Sequence, residues 1–378
     1  MTEHLRSDVA IVGGGIVGAS AALALRRMGL SVTLLERDFC GSRSSGVNYG
    51  GVRRQGRSLV QLPLTQRAHG IWARLPELIG IEAEYIRCGH LKIARSEADM
   101  ASLAAYRERS QGFGMDLQLL GAAALRERFA WLGERAVGGS LCPQDGHANP
   151  RLVSPAFARA AARLGADIRE QTRVDELAHD GKDFVLLTAT GVELRSRFLL
   201  NCAGAWAATI AERFGEAVPM VPAHPVMAVT EPLPMFMNLS LGVEGGGIYA
   251  RQAPRGNCVI GGSRGFALDA ERARPSRDAI TLVLRGTVEL LPRLRHAHII
   301  RSWSGTEGYL PDHEPVIGPS ATQPGLFHGF GFAGAGFQLG PAVGEVLAEL
   351  VQGGASSTPL AAFSISRFSP VPAPATST

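Results

Sequence analysis

The segment from Asp8 to Arg37 constrains the fold more strongly than any other part of this 378-residue chain. It reads DVAIVGGGIVGASAALALRRMGLSVTLLER: a short apolar strand, a glycine turn, a helix over 16–28 and a second strand over 31–35. The turn contains three glycines with the spacing G-x-G-x-x-G, namely Gly13, Gly15 and Gly18. This order of elements predicts a Rossmann-like α/β unit that binds a dinucleotide.

This segment contains the glycines, the helix start and the acidic residue that such a unit uses to bind a dinucleotide. Gly13 permits the tight bend, Gly15 lets a pyrophosphate approach the backbone, and Gly18 lets the helix pack closely on the strand. The free amides at the start of the helix, at Ile16 and Val17, attract phosphate oxygens. Two residues at the end of the second strand complete the predicted site, Glu36 and Arg37, and the Glu36 carboxylate is placed to accept hydrogen bonds from ribose hydroxyls.

Composition narrows the class of protein further. The formal charge of +4 is small for this length, and no basic run alternates with aromatic residues, so we expect no nucleic-acid partner. The five cysteines are scattered without a C-x-x-C pair, which indicates reduced thiols and predicts no metal site. We expect a cytoplasmic protein, free or attached to a membrane through a partner, because no signal peptide or spanning segment is apparent.

The rest of the chain predicts two structural layers. The stretch 40–57, rich in glycine and serine, predicts a binding loop, and 62–78 has helical spacing. From 219 to 300 the pattern changes to short strands with one helix, which predicts a second, sheet-containing domain above the cofactor. A helix over about 339–352 follows, and we expect the tail from Ala355 to be loosely held.

Taken together, the motifs resemble the D-amino-acid oxidase superfamily of FAD enzymes over nearly the whole chain. The nearest branch contains the sarcosine oxidase β subunit, glycine oxidase, and the D-hydroxyproline and opine dehydrogenases. The resemblance rests on GGGIVG with Glu36, SSGVNYGGVR, DGHANP, NCAGAW, the pair YAR and GG within 249–262, GYLPDHEPVIGPS, and HGFGFAGAGFQLGPAVGEVLAELV.

The resemblance implies an α/β fold with a Rossmann-like FAD-binding domain of the glutathione reductase type and an inserted antiparallel β-sheet domain for the substrate. The FAD-binding domain is then discontinuous, formed by residues 1–85, 145–215 and 315–378. The substrate domain comprises residues 86–144 and 216–314. The FAD is expected to be non-covalent, because no cysteine lies near Gly305, where related oxidases attach their flavin.

The resemblance also assigns FAD contacts beyond the first glycine turn. The loop that wraps the pyrophosphate and the flavin edge corresponds to Ser44, Ser45, Gly50, Gly51 and Val52. The adenine, ribityl and pyrimidine ends of FAD correspond to Val174, Ala203, Gly204, Trp206, Gly334, Gly336, Phe337 and Gln338. Amides at the start of the last helix stabilise the negative charge that develops on the flavin when hydride arrives.

The implied reaction is hydride transfer from an amine to the flavin, which gives an imine that water hydrolyses. By resemblance Arg53 lies near the isoalloxazine, Tyr249 projects toward the substrate, and Gln338 is near the position where related oxidases carry a lysine that holds the carboxylate. Arg251, two residues further along the strand, is a candidate for binding the substrate carboxylate. Four further polar residues are weaker candidates: Arg54, Arg57, His147 and His328.

Two departures from the relatives are informative. Where glycine oxidases carry an arginine for the substrate carboxylate, this chain has Glu307, which faces the amine or has a structural role. The lysines that related oxidases place near Val259 and Gln338 are missing, because Lys92 and Lys182 are the only lysines. Rapid reaction with O2 is therefore not expected, and an electron-acceptor protein or a quinone is preferred.

The sequence thus predicts an FAD-dependent dehydrogenase of a small amino or imino acid, such as D-hydroxyproline or sarcosine. Two alternatives remain open. One is a flavin-carrying subunit that needs partner subunits of a hetero-oligomer for activity, and the other is a 2-hydroxy-acid dehydrogenase. A nicotinamide enzyme is disfavoured, because the C-terminal glycine segment would then have no evident task.

Overall fold

The computed structural model of the chain describes residues 2–368. Its α-helices are α1 (Ile16–Arg27), α2 (Ser44–Val47), α3 (Leu62–Trp72), α4 (Leu75–Ile79), α5 (Glu97–Arg109), α6 (Ala122–Arg128), α7 (Pro150–Arg163), α8 (Ala207–Arg213), α9 (Arg277–Leu290) and α10 (Gly336–Gly353). Within the same residues, no helix is both long enough and apolar enough to span a membrane.

The β-strands belong mainly to two large sheets. They are β1 (Glu3–Val12), β2 (Val32–Leu35), β3 (Gly51–Val52), β4 (His90–Ala94), β5 (Gln118–Gly121), β6 (Gly138–Cys142), β7 (Gly146–His147), β8 (Asp167–Arg169), β9 (Val174–His179), β10 (Phe184–Thr188), β11 (Val192–Asn201), β12 (Val221–Ala223), β13 (Pro225–Pro232), β14 (Ser240–Val243), β15 (Tyr249–Gln252), β16 (Asn257–Arg264), β17 (Phe266–Ala267), β18 (Ala273–Arg274), β19 (Ile299–Ser304), β20 (Glu307–Tyr309), β21 (Val316–Pro319) and β22 (Leu326–Phe330).

The first sheet has the order β21-β22-β11-β1-β2-β8, with the meander β9–β10 attached to β11. β1 pairs in parallel with both β2 and β11, and β11 pairs in parallel with β22. Strands buried on both faces read as continuous apolar runs, and β1 does so from Val9 to Ile11, whose side chains are fully buried. The predicted Rossmann-like α/β fold is confirmed by this sheet.

The second sheet has the order β19-β13-β16-β15-β14-β4-β6-β5. As expected, this sheet is mainly antiparallel, with one parallel pair. β4 and β14 pair in parallel, with Lys92 opposite Gly242, whereas their neighbours pair antiparallel. A parallel pair arises here because the two strands come from separate chain segments, so no tight hairpin joins them.

The strands of the two sheets alternate along the chain. The first sheet takes its strands from residues 3–35, 167–201 and 316–330, and the second from 90–142 and 225–304. The exact domain boundaries given above stay a prediction, and residues 369–378 of the last segment lie outside the described residues.

Two local expectations were wrong. The helical pattern over 62–78 forms two helices, because Pro76 has no amide hydrogen to donate to the Trp72 carbonyl. The tail after Ala355 is packed as far as residue 368: Phe363 and Ile365 are both buried, and Arg367 Nε donates to Asp312 at 2.8 Å. Apolar side chains spaced among small polar ones carried too weak a periodic signal to reveal this packing.

Candidate active site

One continuous cavity of about 800 Å³ is lined by residues from both sheets. This volume lies in the upper part of the ~300–1,000 Å³ range usual for small-molecule sites. The cavity has one part formed by the first sheet and its glycine turn, and another formed by strands β4, β15, β16 and β20. We call the second part the inner chamber, defined by Arg53, Arg57, His90, Lys92, Tyr249, Glu307 and Tyr309.

The glycine turn after β1 packs against neighbouring backbone too closely to admit side chains. A Cβ on Gly13 would lie 2.4 Å from the Cys202 carbonyl oxygen, and one on Gly18 would lie 2.0 Å from the Gly13 carbonyl oxygen. Gly13 also has φ +107°, a conformation that L-residues with side chains rarely adopt.

α1 begins at Ile16, and its N-cap Gly15 has no side chain to cap it. The Ile16 amide donates to Ser45 Oγ at 2.9 Å, so it is not free, contrary to expectation. The next amides of the first turn, at Val17 and Gly18, are the ones left for an anionic group.

Glu36 closes the second strand and lines the cavity as predicted. Its two carboxylate oxygens accept hydrogen bonds from the amides of Gly14 at 2.7 Å and Asp38 at 2.8 Å. Burial raises the pKa of this carboxyl, while the two amide hydrogen bonds oppose the rise. The amides fix the carboxylate at the strand end, where remaining lone pairs can accept from hydroxyl groups.

Trp206 and Arg37 form the wall beside the carboxylate. The Arg37 guanidinium lies 3.8 Å from the centre of the Trp206 ring, a cation–π contact that orients both side chains. Trp206 Nε1 donates to the Ala270 carbonyl at 3.0 Å. This bond ties the wall to the hairpin of β17 and β18.

The start of α10 lines the cavity on the side of the second sheet. Gly334, Gly336 and Phe337 all contribute to the lining. Ala335 occupies the N-cap position and provides no side-chain hydrogen bond, so the amides of the first turn are left for another acceptor. An 18-residue helix directs the positive end of its dipole toward that acceptor.

Arg53 and Arg57 project from the loop after β3 into the inner chamber. Arg53 donates through one terminal nitrogen to the Gln55 carbonyl oxygen. Arg57 forms no ion pair or side-chain hydrogen bond within residues 2–368, and its Nε is buried without an acceptor. Burial and the neighbouring Arg53 charge lower the pKa of Arg57 to about 9. A buried guanidinium without a carboxylate is costly, so Arg57 favours an anionic ligand.

Buried hydrogen bonds to Asp145 hold the loop that carries Arg53 and Arg57. Asp145, which is fully buried, accepts hydrogen bonds from the amides of Arg54 at 2.9 Å and Gln55 at 3.0 Å. The same carboxylate pairs with Arg54 Nε at 3.3 Å. Asp145 therefore positions the loop, and Arg54 is a structural partner that does not reach the cavity lining.

Glu307 and Tyr309 on β20 supply the acidic part of the inner chamber. Tyr309 donates to a Glu307 carboxylate oxygen at 3.2 Å. Burial raises the pKa of Glu307, and both the Tyr309 hydrogen bond and the Arg57 charge oppose that rise. Tyr249 lines the same chamber, and its phenol keeps its proton because burial raises its pKa well above the ordinary value.

Sequence reasoning missed the contribution of β4. His90 and Lys92, two residues apart on one face of the strand, both line the chamber. The Lys92 ammonium pairs with the Glu244 carboxylate, which also accepts from Ser102 Oγ at 2.6 Å. Burial lowers the pKa of His90, which is therefore neutral. A signal was present in the sequence, since Lys92 is one of only two lysines in the chain.

Most of the residues predicted for the cofactor line the cavity. They are Gly13, Gly15, Ile16, Val17, Glu36, Arg37, Ser44, Ser45, Gly51, Val174, Ala203, Gly204, Trp206, Gly334, Gly336 and Phe337. Gly18, Gly50 and Val52 lie behind this lining, where a Cβ on Gly50 would be 2.2 Å from the Ala148 carbonyl oxygen. These three positions allow close packing of the loop and helix instead of contributing surface.

Arg251 and Gln338 do not line the cavity, which corrects their expected contact with substrate. Arg251 Nε donates to the Tyr49 carbonyl at 2.8 Å, so the long side chain supports the loop instead. Gln338 is 1% exposed; its Nε2 donates to the Thr65 carbonyl at 3.0 Å. Two weaker candidates also lie outside the lining: His147 is paired through β7 with Gly51, and His328 is bound to Glu216 at 2.9 Å.

The fold and this cavity define a dinucleotide-dependent oxidoreductase whose cavity is also lined by a second, separate sheet. A family model described as FAD dependent oxidoreductase matches residues 8–350. The chain belongs to this family. The Glu36 carboxylate at the strand end and the amides at the two uncapped helix starts, all on one cavity, fit FAD, which is the cofactor that the family implies.

Curated relatives and solved structures agree with this assignment. The chain is 29% identical to glycine oxidase from Geobacillus kaustophilus, over 96% of this chain and 97% of that protein. It is 27% identical to sarcosine oxidase subunit beta of Rhizobium meliloti, over 96% and 88%. It is 26% identical to human mitochondrial sarcosine dehydrogenase, where the match covers 96% of this chain but only 41% of that longer protein.

Two solved structures have nearly the same fold. The crystal structure of glycine oxidase from Geobacillus kaustophilus aligns with a TM-score of 0.90 at 27% identity, covering 96% of this chain and 99% of that one. The structure of L-proline dehydrogenase from P. horikoshii also aligns with a TM-score of 0.90, at 26% identity, covering 97% and 98%.

Proposed function

We propose that the protein is an FAD-dependent dehydrogenase that oxidises a small amino or imino acid at its C–N bond. Secondary amines such as D-hydroxyproline and sarcosine are the expected type of substrate. The observation that carries this proposal is the inner chamber, in which the unpaired guanidinium of Arg57 and the carboxylate of Glu307 face one cavity. Relatives named for glycine, sarcosine and proline oxidation support the same kind of substrate.

Arg57 is the proposed anchor for the substrate carboxylate. Its donors have no acceptor in the described residues, so a bound carboxylate completes its hydrogen bonds without breaking existing ones. The anchor fixes the direction in which the rest of the substrate extends. By resemblance, Glu307 stands where glycine oxidases carry the arginine that binds the substrate carboxylate. Arg57 is proposed to bind that carboxylate instead.

Glu307 is the proposed acceptor of the amine proton. A substrate amine arrives as an ammonium ion, and its nitrogen must lose a proton before the adjacent C–H bond can release hydride. When bound, FAD supplies the acceptor for that hydride. Glu307 holds the proton on a carboxylate oxygen while Tyr309 donates to the same carboxyl group. The imine leaves the chamber and water hydrolyses it.

Reduction of the flavin under anaerobic conditions tests this function. We expect sarcosine, proline or D-hydroxyproline to bleach the absorbance of the purified holoprotein. R57M should raise the substrate concentration for half-maximal bleaching by about 10–100-fold, because a charge-assisted hydrogen bond is lost. R109M, on the exposed face of α5, is the matched control and should behave like the wild type. Bleaching by 2-hydroxy acids alone would instead favour the hydroxy-acid alternative, and no bleaching at all would refute the proposal.

The pH profile tests the role of Glu307 separately. Only the ionised carboxylate can accept a proton, so kcat/KM should rise with pH as Glu307 ionises, above the ordinary range of a glutamate. E307Q preserves shape and hydrogen bonding but should lose this acidic limb together with ~10²–10⁴-fold in rate. An unchanged pH profile in E307Q would show that Glu307 is structural.

The proposed electron acceptor is a protein or quinone and not O2. Neither of the lysines expected of rapid oxidases is present, and the lysine that lines the chamber, Lys92, lies on β4 and is ion-paired with Glu244. We expect the reduced holoprotein to persist in air-saturated buffer for longer than in the presence of a quinone or dye. Reoxidation by air at the same rate would contradict this part of the proposal.

A flavin-carrying subunit is the second candidate, and the similarity to sarcosine oxidase subunit beta favours it. In that case partner subunits complete the enzyme, which is either cytoplasmic or attached to a membrane through them. The purified chain would then bind FAD but turn over more slowly than the complex in cell extract. Equal rates with an artificial acceptor would exclude this candidate.

A further inference from the structure

We propose that the substrate carries a second acidic group, which binds between Arg53 and Lys92 in the inner chamber. This inference rests on the proposed function, since it assumes that Arg57 binds the carboxylate next to the reacting carbon. It assigns the substrate to amines with two carboxylates, such as an amino dicarboxylate or a glycine whose nitrogen carries a carboxyalkyl group.

The head groups of Arg53 and Lys92 converge on one point. A Cβ placed on Gly56 would lie 3.0 Å from Lys92 Nζ and 3.3 Å from a terminal nitrogen of Arg53. Both head groups therefore approach the same residue, Gly56, and both side chains line the cavity. Two like charges that approach one residue repel each other, and an anion that contacts both from the cavity offsets this repulsion.

The protein supplies only part of the negative charge that these cations require. Lys92 pairs with Glu244, but an ammonium has three donors and retains two of them. Arg53 makes one hydrogen bond, to a neutral carbonyl, and no ion pair within residues 2–368. Burial lowers the pKa of Arg53, as expected for a guanidinium without a carboxylate partner.

The balance of charge in the chamber favours a dianionic amine. Three cations, Arg53, Arg57 and Lys92, line the inner chamber with one carboxylate, that of Glu307, and a second carboxylate, that of Glu244, pairs with Lys92 from outside the lining. His90 adds no charge, because burial keeps it neutral. Once Glu307 takes the amine proton, a substrate with one carboxylate satisfies Arg57 but leaves Arg53 without a counter-charge. A second carboxylate supplies that counter-charge at the point where the Arg53 and Lys92 head groups meet.

Sarcosine and iminodiacetate form a matched pair for the test, because they differ by one carboxylate on the nitrogen substituent. We expect iminodiacetate to bleach the holoprotein with at least a tenfold higher kcat/KM. Glutarate should likewise perturb the flavin spectrum at about 10–100-fold lower concentration than valerate, a chain of equal length with one carboxylate. The spectral titration measures binding without turnover.

Two variants locate the subsite. K92M should lower the preference for glutarate over valerate by about tenfold or more, whereas E244Q should raise it because Lys92 loses its internal partner. The control is K182M, which changes the other lysine of the chain, an exposed one. If K92M fails to fold, the expected rise in glutarate preference of E244Q still tests the subsite.

The outcomes separate this inference from the proposed function. If sarcosine and iminodiacetate bleach the flavin equally well and glutarate binds no better than valerate, the second-acid subsite is refuted while amine oxidation stands. If no amine bleaches the flavin, the proposed function itself fails. A dicarboxylate preference that neither K92M nor E244Q alters would also overturn the assignment of this subsite.

Discussion

Replacement of Gly344 by alanine should separate the two helices that support the cofactor. Gly344 lies where α10 crosses α1, and a Cβ there would be 2.2 Å from Ser20 Oγ and 2.6 Å from the Ala21 amide nitrogen. Ser20 can rotate away from the new methyl group, but Ala21 contributes a backbone atom and cannot. The helices must therefore move apart to admit the methyl group.

The cost follows from the contacts that this movement breaks. Overpacking of a dense core typically costs ~1–3 kcal/mol. The Ser20 hydroxyl lies 2.6 Å from the Ile16 carbonyl oxygen and 3.0 Å from that of Gly340 across the same crossing, and displacement of this donor adds ~1 kcal/mol. We expect G344A to lose about 2–4 kcal/mol of stability. Because the first turns of both helices line the FAD cavity, FAD affinity should fall as well.

Thermal unfolding and FAD titration of G344A measure both effects. The matched control is G353A in the same helix, where a Cβ would meet nothing within 4 Å, and we expect no loss of stability there. The double variant S20A/G344A should recover only part of the loss, since the contact with Ala21 remains. A melting temperature of G344A equal to that of G353A, or full recovery in the double variant, would refute this reasoning.

Two further predictions concern buried polar groups near the site. D145A should lower the free energy of unfolding by ~3–5 kcal/mol, because it leaves Arg54 buried without its counter-charge. The control D116A, on an exposed loop, should change the melting temperature little. Equal effects of the two variants would contradict the anchoring role of Asp145. Burial lowers the pKa of His147 to about 3 from an ordinary 6.5. Below pH 6.5 this histidine is therefore protonated in the unfolded chain but neutral in the folded protein, so the folded protein loses stability as the pH falls. Melting temperatures of H147Q at pH 7.5 and pH 5 should differ less than those of the wild type, whose stability falls by up to ~1.4 kcal/mol per pH unit on account of this histidine.

The sequence predicted those parts of the fold and site that depend on local spacing. The strand, turn and helix around Gly13 follow from backbone requirements within about thirty residues, and Glu36 is placed by the end of the same strand. The resemblance extended this prediction to the loop at Ser44 and to the start of α10. In each case the residues that line the cavity belong to a contiguous motif.

What the sequence did not predict depends on contacts between distant segments. The strand pattern placed Arg251 beside Tyr249, but the direction of its guanidinium is set by the Tyr49 carbonyl on another loop. The partner of Lys92 depends on the pairing of β4 with β14, which brings the Glu244 carboxylate to the Lys92 ammonium group. Long charged side chains reach several ångströms, so their partners are determined by tertiary packing and not by spacing along the chain.

The first sheet takes its strands from three separated stretches of chain, and this has a consequence during synthesis. The glycine turn emerges from the ribosome early, but its neighbour strand β11 and the capping helix α10 are made much later. At synthesis rates of ~5–20 residues per second, roughly ten seconds or more separate the appearance of β11 from that of α10. The apolar strands of the nascent chain therefore stay exposed during this interval, before the cofactor site is complete. A chaperone can bind the exposed strands in that time.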